Sequence, residues 1–315
     1  MDYVNVNRLT KKYGDFTAVD NLSFTVKKGE IFGFLGPNGA GKTTTLNVLS
    51  TLSDFDRGEV EIAGFSLPKQ EFSVKRILGL VPQEIALYTD LTARENVTLF
   101  ASLYGLSGAA LKSAVDEALA FVGLADEAKK RAKKMSGGQQ RRLNIACGIA
   151  HGPELIIMDE PTVGVDARSR DLIMGSIRTL NERGATIIYT SHYMPEVQEL
   201  ADRIAIIDHG RLAAIGTEEE LLSHVTDRKT LRVGVDGKGD AALIETLSRL
   251  PGVKHASLAD AELRVDVDLT LPSISPIIGT LMERGLAVKS LAEEAPTLET
   301  TFLALTGNEL TKEGA

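Results

Sequence analysis

A glycine-rich stretch at residues 36–44 constrains this chain more than any other part of it. It reads Gly36-Pro-Asn-Gly-Ala-Gly-Lys-Thr43, followed by Thr44, and fits the pattern G-x-x-x-x-G-K-[ST]. A short apolar run, Glu30-Ile-Phe-Gly-Phe-Leu35, precedes it, and Leu46 and Leu49 give the following residues a helical apolar face. The pattern therefore predicts a loop at a strand-to-helix turn.

Such a loop suits phosphate binding. Glycines let backbone N–H groups close around phosphate oxygens, and the helix N-terminus adds unpaired N–H groups and partial positive charge. Lys42 can reach the β- and γ-phosphates of a nucleotide, and the Thr43 hydroxyl can ligate magnesium. A chance glycine-rich turn of this pattern arises on the order of once per hundred chains of this length. The strand and helix context favours nucleotide binding.

Composition narrows the class of protein. A chain of 315 residues can hold two domains, and its net charge of −8 argues against a general nucleic-acid binder. The single cysteine, Cys147, excludes an intrachain disulfide framework and suits a reducing compartment. We find neither a signal-peptide pattern nor an apolar run near the ~18 residues of a membrane span. Any function at a membrane is expected to need a separate partner.

Two adjacent carboxylates form the second strong signal. Asp159 and Glu160 follow the apolar run Leu155-Ile-Ile-Met158, which is typical of a strand buried on both faces of a parallel sheet. Carboxylates at the carboxyl end of such a strand point into the ligand crevice. Asp159 can hold magnesium, and Glu160 can deprotonate an attacking water. Two acidic residues in a plain turn are the alternative, but their desolvation is costly without a nearby cation.

Three isolated residues carry weaker signals. Tyr13 on a polar loop can stack on an adenine ring, although a lone loop tyrosine is more often half-buried surface. Gln83, after the strand Ile77–Val81, can reach magnesium or the attacking water, or is a solvated amide. His192, after the strand Thr186–Thr190, can bind the γ-phosphate or serve as a structural hydrogen-bonding group.

Two further patterns stay open at this point. Ser136-Gly-Gly-Gln139 fits a capping box that opens the helix Gln140–Ala150, and its two glycines also leave N–H groups bare for a second phosphate. The basic run Lys129–Lys134 is interpreted as a solvated face.

Taken together, residues 1–219 resemble an ABC-type ATPase, the nucleotide-binding subunit of an ABC transporter. Seven elements occur in the order typical of that family: the aromatic-loop Tyr13, Walker A (36–44), the Q-loop Gln83, the signature Met135–Gln139, Walker B (155–160), the D-loop Gly164–Asp166 and the switch His192. Met135 replaces the usual leucine, a small change because both are flexible apolar residues of similar volume.

The resemblance implies an α/β fold with a helical subdomain at about 84–152, and ATP and Mg²⁺ as ligands. It implies a head-to-tail dimer, with a second copy or a related ATPase, in which each ATP lies between one Walker A and the opposite signature. Residues near Gln83–Asn96 would contact a membrane permease. The implied catalytic residues are Glu160, His192, Gln83 and Lys42. The implied nucleotide-binding residues are Tyr13, Gly36, Pro37, Asn38, Gly39, Ala40, Gly41, Lys42, Thr43 and Thr44. The implied signature residues are Ser136, Gly137, Gly138 and Gln139, the interface residue is Asp166, and the magnesium ligands are Thr43, Gln83 and Asp159.

Within the family, the stretches 190–197 and 200–210 are similar to export ATPases of the daunorubicin-resistance group, which work with type-2 permeases at the inner face of the cell membrane. A soluble ABC-type protein acting on ribosomes or DNA is the rival hypothesis. Ribosome-acting relatives carry two cassettes, and DNA-repair relatives carry a long coiled coil before the signature. The chain has one Walker A and no heptads in that interval. An importer ATPase is disfavoured only by the subgroup similarity.

The tail predicts a second domain, 230–315, after a linker at 220–229. Its pattern is a β-α-β-β-α-β order followed by one more helix, which suits a small α+β, ferredoxin-like domain. The predicted elements are strand 231–235, helix 241–250, strand 253–258, strand 262–267, helix 272–284, strand 286–291 and helix 297–305. Docking and dimerisation are the favoured roles over effector binding, since no polar cluster stands out.

Overall fold

The computed structural model describes residues 2–223, 228–236, 240–259, 262–268, 274–294 and 297–307. They form two compact units, of which the first runs to residue 217 and the second covers Glu218–Gly307. Within the described part of the chain, no helix is both long enough and apolar enough to span a membrane.

The first unit alternates strands and helices along most of its length. In chain order its elements are β1 Asp2–Tyr13, β2 Phe16–Lys27, β3 Ile31–Leu35, α1 Lys42–Leu49, β4 Arg57–Ile62, β5 Phe65–Leu67, α2 Glu71–Ile77, β6 Leu78–Val81, α3 Ala93–Leu103, α4 Gly108–Phe121, a 3-10 turn Ala132–Lys134, α5 Gly137–Ile149, β7 Leu155–Asp159, α6 Ala167–Glu182, β8 Thr186–Thr190, α7 Met194–Leu200, β9 Arg203–Asp208 and β10 Arg211–Gly216.

A six-stranded sheet of order β10-β9-β3-β8-β7-β6 forms the centre of this unit. All its strands run parallel except β10, which pairs antiparallel with β9. Every residue of β3, β7 and β8 is buried, as expected for strands covered on both faces. Because parallel strands end at the same edge, the residues that follow β3, β6, β7 and β8 meet there.

A second, antiparallel sheet of order β2-β1-β4-β5 packs over the first through a shared core. Phe24 of β2 stacks on Phe32 of β3 with ring centroids 5.5 Å apart, and Leu46 and Leu49 of α1 join the same cluster. Strands β1 and β2 have 12 residues each, longer than their apolar alternation indicates. Register shifts, one of them spanning Arg8 with its φ of +49°, interrupt that alternation.

Helices α3, α4 and α5 pack on one another beside the parallel sheet and fall within the range predicted for a helical subdomain. Thr92 caps α3 through a reciprocal capping box with Glu95. The basic run before α5 is largely exposed, and Lys133 forms an ion pair with Asp90 at 2.6 Å.

The second unit contains α8 Glu218–Ser223, β11 Arg228–Asp236, α9 Ala241–Ser248, β12 Val253–Ala259, β13 Glu262–Asp268, α10 Ile274–Glu283, β14 Ala287–Glu294 and α11 Leu298–Thr306. Its four strands form an antiparallel sheet of order β12-β13-β11-β14. Alternate residues Leu231, Val233 and Val265 face a core that includes Leu243 and Leu281 of the two crossing helices. The predicted ferredoxin-like order of elements is confirmed.

The predicted linker at 220–229 contains regular secondary structure at both of its described ends. Residues 220–223 belong to α8 and residues 228–229 to β11, while 224–227 lie outside the described residues, as do 308–315 and the first residues of the predicted helix 272–284. Three glutamates in the first turn of α8 favour a helix through the macrodipole, and Leu221 is fully buried. The predicted boundary at 219/220 therefore falls inside a helix.

His151, just beyond α5, connects the helices to the parallel sheet. Its Nε2 donates to the carbonyl oxygen of Leu78 at 3.0 Å, and its ring stacks on Tyr104 with centroids 3.5 Å apart. The Nδ1 atom is buried without a hydrogen-bond partner. Burial lowers the pKa of His151 to about 4, although the Leu78 carbonyl acts in the opposite direction.

We predict that replacing His151 changes the acid sensitivity of the fold. The folded pKa lies below the ordinary 6.5, so the stability of the neutral ring is present above pH 6.5 and is lost as the pH falls toward 4. The melting temperature of the wild type should therefore fall more steeply than that of His151→Gln between pH 7 and 4.5. His209→Asn, at a side chain that is 86% exposed, is the control and should follow the wild type. Parallel curves for all three proteins would contradict the prediction.

Candidate nucleotide-binding and hydrolysis site

The glycine-rich loop is built so tightly that two of its positions require glycine. A Cβ at Gly36 would lie 2.5 Å from the carbonyl oxygen of Ile207, and one at Gly41 would lie 2.5 Å from that of Ala18. Gly41 also has a φ of +99° and forms the N-cap of α1 without any side-chain cap. The first N–H groups of α1 are therefore left for an anion.

Lys42 is folded into the loop. Its Nζ donates to the carbonyl oxygens of Gly36 at 2.7 Å and Pro37 at 3.2 Å, and the residue is buried. Burial lowers the pKa of Lys42, and the charges of Glu160 and Asp159 oppose that shift. The loop thus holds one ammonium group within the electrostatic reach of two carboxylates.

Asp159 and Glu160 are both buried at the end of β7, and Thr190 at the end of β8 connects them. The Thr190 hydroxyl donates to Asp159 Oδ1 at 2.6 Å and accepts the Glu160 amide hydrogen at 2.9 Å. On the other side, the Thr43 hydroxyl donates to Asp159 Oδ2 at 3.1 Å. One threonine of the loop and one of the sheet therefore fix the Asp159 carboxylate.

The Glu160 carboxylate lies between two of the weakly signalled residues. Gln83 Nε2 donates to Glu160 Oε2 at 3.0 Å, and His192 Nδ1 is 3.2 Å from the same oxygen. Glu160 has a φ of +47° although Pro161 follows it, a conformation that costs about 1–3 kcal/mol. The structure thus brings together Gln83, Glu160 and His192, with Thr43 and Asp159 adjoining them.

Curated proteins resemble this chain along almost its whole length. The linearmycin resistance ATP-binding protein LnrL of Bacillus subtilis is 41% identical over 98% of this chain and 99% of that protein. The daunorubicin resistance ATP-binding protein DrrA3 of Streptomyces coeruleorubidus is 36% identical over 97% and 96%. A family model described as ABC transporter matches residues 19–163.

The chain belongs to the ABC transporter ATP-binding proteins. It is an ABC-type ATPase, and the family predicted from the seven sequence elements is confirmed.

Solved structures agree with that assignment. The ATP-binding cassette MJ0796, a dimer in a post-hydrolysis state bound to ADP and Pi, is 29% identical with a TM-score of 0.63. The match covers 68% of this chain and 98% of that one. An ATP-binding subunit of another ABC transporter gives a TM-score of 0.66 at 27% identity over 71% and 93%. The predicted α/β cassette fold is confirmed.

The ABC signature begins α5 as the predicted capping box. Ser136 Oγ accepts a hydrogen bond from the Gln139 amide at 3.2 Å, and Gln139 Oε1 accepts one from the Ser136 amide at 3.1 Å. Gln139 also contacts Lys130 and Glu127, which lie before the signature. The helix starts at Gly137 rather than Gln140, because the capping serine places the two glycines in its first turn. Met135 is buried, as a leucine at this position would be.

Asp166 caps α6 and contacts the signature of the same chain. Its carboxylate accepts from the Ser169 amide at 2.9 Å and the Ser169 hydroxyl at 2.8 Å. A Cβ added to Gly138 would lie 2.3 Å from Ser169 Oγ and 3.0 Å from Asp166 Oδ2. The signature and the D-loop therefore meet within one chain. Tyr13, the last residue of β1, is half exposed, and Lys11 Nζ lies 5.2 Å from its ring centroid.

The residues predicted to bind magnesium fit it in part. Among the described residues no group of three or more His, Cys, Asp or Glu side chains could hold a metal ion. Thr43 and Asp159 offer two neighbouring oxygens, the donors that Mg²⁺ prefers, whereas Gln83 directs its amide nitrogen at Glu160. Mg²⁺ usually takes one or two protein ligands beside phosphates and water, which this pair suits.

Sequence reasoning misses two residues that hold the site. The apolar pattern assigns Thr190 only to a strand, although its position at a strand end, like that of Asp159, is a signal that could identify it. Arg141 is buried, and its Nη1 donates to the Pro82 carbonyl at 3.1 Å, which fixes the residue before Gln83. Burial lowers the pKa of Arg141, and the charge of Glu160 opposes the shift. Nothing in the local pattern distinguishes Arg141 from its neighbour Arg142.

The two signature glycines should respond oppositely to alanine. Gly138→Ala should lower the free energy of unfolding by about 1–3 kcal/mol, because its Cβ meets Ser169. Gly137→Ala meets no atom within 4 Å and should stabilise the helix by up to about 1 kcal/mol. Denaturant unfolding measures both, and Gly138→Ala/Ser169→Ala should recover part of the loss. Equal effects of the two alanines would refute the predicted crowding.

Proposed function

We propose that this chain is the ATP-hydrolysing subunit of an export system and drives a membrane permease carried by a separate chain. The observation that carries the proposal is the Glu160 carboxylate, held by Gln83 and His192 beside Asp159 and the phosphate loop. That geometry supplies a base, groups that orient it and a cradle for phosphates, which together suit attack of water on a γ-phosphate.

The nucleotide occupies the glycine-rich loop. N–H groups of 36–44 surround the β- and γ-phosphates, Lys42 adds its charge, and Tyr13 stacks on the adenine. Lys42 must leave the carbonyl oxygens of Gly36 and Pro37 to reach a phosphate, so it exchanges two loop contacts for a stronger charge-assisted one. Thr43 and Asp159 hold magnesium, which when bound neutralises charge on the phosphate oxygens.

Glu160 removes the proton of the attacking water. His192 and Gln83 both contact Glu160 Oε2, which supports a role in fixing the direction of that oxygen. Thr190 accepts the Glu160 amide hydrogen and so supports the strained backbone conformation from which the Glu160 side chain projects. If its amide were turned, the Gln83 side-chain oxygen would be a further ligand for magnesium beside Thr43 and Asp159.

The working unit is a head-to-tail dimer. Ser136 and Gly137 are exposed at the start of α5, where unpaired N–H groups can receive the ATP of the opposite subunit. Asp166, next to Gly138 of the signature, is also exposed and in this dimer faces the opposite subunit. MJ0796, a structural neighbour, was solved as a dimer, which supports this arrangement.

Export, rather than import or a soluble role, follows from the relatives. They are named for linearmycin resistance, daunorubicin resistance and, in Sinorhizobium fredii at 36% identity over 98% of this chain and 87% of that protein, Nod factor export. Residues 83–96 contact the permease, and the chain lies at the cytoplasmic face of the cell membrane. Exposed Ile85 and Tyr88 in that segment support such a contact.

Removing the base should stop turnover and preserve binding. We expect Glu160→Gln to lower kcat by about 10²- to 10⁴-fold, because proton transfer by a positioned base contributes that much. Affinity for ATP should stay within a few-fold. Phosphate release and nucleotide titration measure the two quantities. Glu154→Gln, at the opposite end of β7, is the matched control and should behave as wild type. Normal turnover by Glu160→Gln would rule out Glu160 as the base.

Capture of the partner tests the export assignment. Tagged Glu160→Gln protein, incubated with native membranes and Mg-ATP, should hold the closed dimer and retain its permease. Mass spectrometry is expected to identify a multi-span membrane protein. The same capture with Lys42→Ala, which weakens ATP binding, is the control and should recover less of it. Ribosomal proteins or nucleic acid without a membrane protein would contradict the proposal and favour the soluble alternative.

A further inference from the structure

A buried carboxylate lies behind the hydrolysis site and has no part in the roles described above. Glu196, on α7, is only 3% exposed. Its Oε2 accepts from Thr162 Oγ1 at 2.7 Å, from Tyr189 Oη at 2.5 Å and from Ser191 Oγ at 3.1 Å. Burying a carboxylate is costly unless it is paired and hydrogen-bonded, and three hydroxyls supply the hydrogen bonds on one of its oxygens.

The three donors come from two segments that carry site residues. Thr162 is two residues after Glu160, Tyr189 directly precedes Thr190, and Ser191 directly precedes His192. Burial and the Glu196 charge raise the pKa of Tyr189 well above its ordinary value, so Tyr189 remains a neutral donor. Ser191 Oγ also accepts the Tyr193 amide hydrogen at 3.0 Å, so its contacts bracket His192.

An arginine connects this carboxylate to the D-loop helix. Arg170 Nε is 3.1 Å from Glu196 Oε1, and the Arg170 guanidinium lies 5.0 Å from the ring centroid of Tyr193. Arg170 is in the first turn of α6, and its amide donates to the Asp166 carbonyl oxygen. The Glu196 carboxylate therefore contacts three parts of the chain. They are the residues after Walker B, the end of β8 before His192, and the first turn of α6 after the D-loop.

We propose that Glu196 is a positioning residue for hydrolysis, which holds the Glu160 and His192 segments in register with each other and with α6. The proposal rests on the function proposed above. One carboxylate oxygen accepts hydrogen bonds from hydroxyls of both segments, so neither segment can move relative to the other without losing a hydrogen bond to Glu196. Small misplacements of reacting groups lower rates steeply without a matching loss of binding, which is the signature expected here.

The test compares two carboxylates of α7. Glu199 also joins α7 to α6, through an ion pair with Arg178 at 2.7 Å, but it is 53% exposed and lies outside the hydroxyl cluster. We expect Glu196→Gln to lower kcat about 10- to 100-fold with the ATP dissociation constant changed less than twofold. Glu199→Gln should leave both unchanged. Full kcat in Glu196→Gln, or an equal loss of ATP affinity, would overturn the proposal.

A second readout does not depend on turnover. The chain has five histidines, so the side-chain signals of ¹⁵N-labelled histidine can be assigned to His192 with a His192→Gln variant. Glu196→Gln should shift the His192 signals, and Glu199→Gln should not. If the wild type hydrolyses no ATP, the proposed function fails while these spectra still decide the positioning role. Unshifted His192 signals in Glu196→Gln would refute it.

Ser191→Ala covers the case in which Glu196→Gln does not fold. It keeps the carboxylate and its ion pair with Arg170 but removes the hydroxyl that brackets His192. We expect a smaller fall in kcat, about 10-fold, and a shift of the same His192 signals. Wild-type kcat together with unshifted signals would overturn the proposal.

Discussion

Two adjacent carboxylates, buried at the end of an apolar strand, require partners from several other segments of the cassette. Asp159 and Glu160 are each 6% exposed, and ions so placed are strongly destabilising without partners. The fold supplies those partners from the neighbouring strand ends: Thr190 from β8, Thr43 and Lys42 from the loop after β3, and Gln83 from the segment after β6. A parallel sheet makes this possible, since it delivers four chain segments to one edge. The same groups that stabilise the carboxylates are those a phosphate and its cation require.

The sequence predicts this edge well because its signals are local. An apolar run followed by a polar residue marks each strand end, and a glycine-rich loop of this spacing rarely serves any purpose besides phosphate binding. The ferredoxin-like order of the second unit is likewise predicted from local alternation of apolar and other residues. In β11, Leu231 and Val233 face the core and alternate with Arg232 and Gly234. Errors occur where local pattern and tertiary packing differ. Strand β1, for example, continues through irregular pairing that breaks its alternation. Helix α8 covers the first residues of the predicted linker, where Leu221 is buried.

Residues that hold the site are harder to predict than residues that act in it. Thr190, Arg141 and Glu196 owe their roles to partners 30 to 60 positions away in the chain: Asp159, Pro82 and Thr162. A threonine at a strand end, an arginine within a helix and a glutamate after a histidine are all ordinary in isolation. Their importance follows from burial, because a buried polar group must find a partner wherever the fold brings one. Seven family elements identify the cassette, but they do not identify this supporting set.

The first turn of α6 joins the parts of the cassette that sequence treats as separate motifs. Asp166 caps it, Ser169 touches the signature at Gly138, and Arg170 reaches the Glu196 cluster that brackets His192. In the proposed dimer the exposed ends of this path, Ser136 and Asp166, face the opposite subunit. Asp166, Ser169 and Arg170 lie within five consecutive residues, so the contacts to the signature and to the Glu196 cluster are made from one turn of the chain. One helix of the chain therefore contacts both the signature, which the proposed dimer places at its interface, and the Glu196 cluster behind the proposed base.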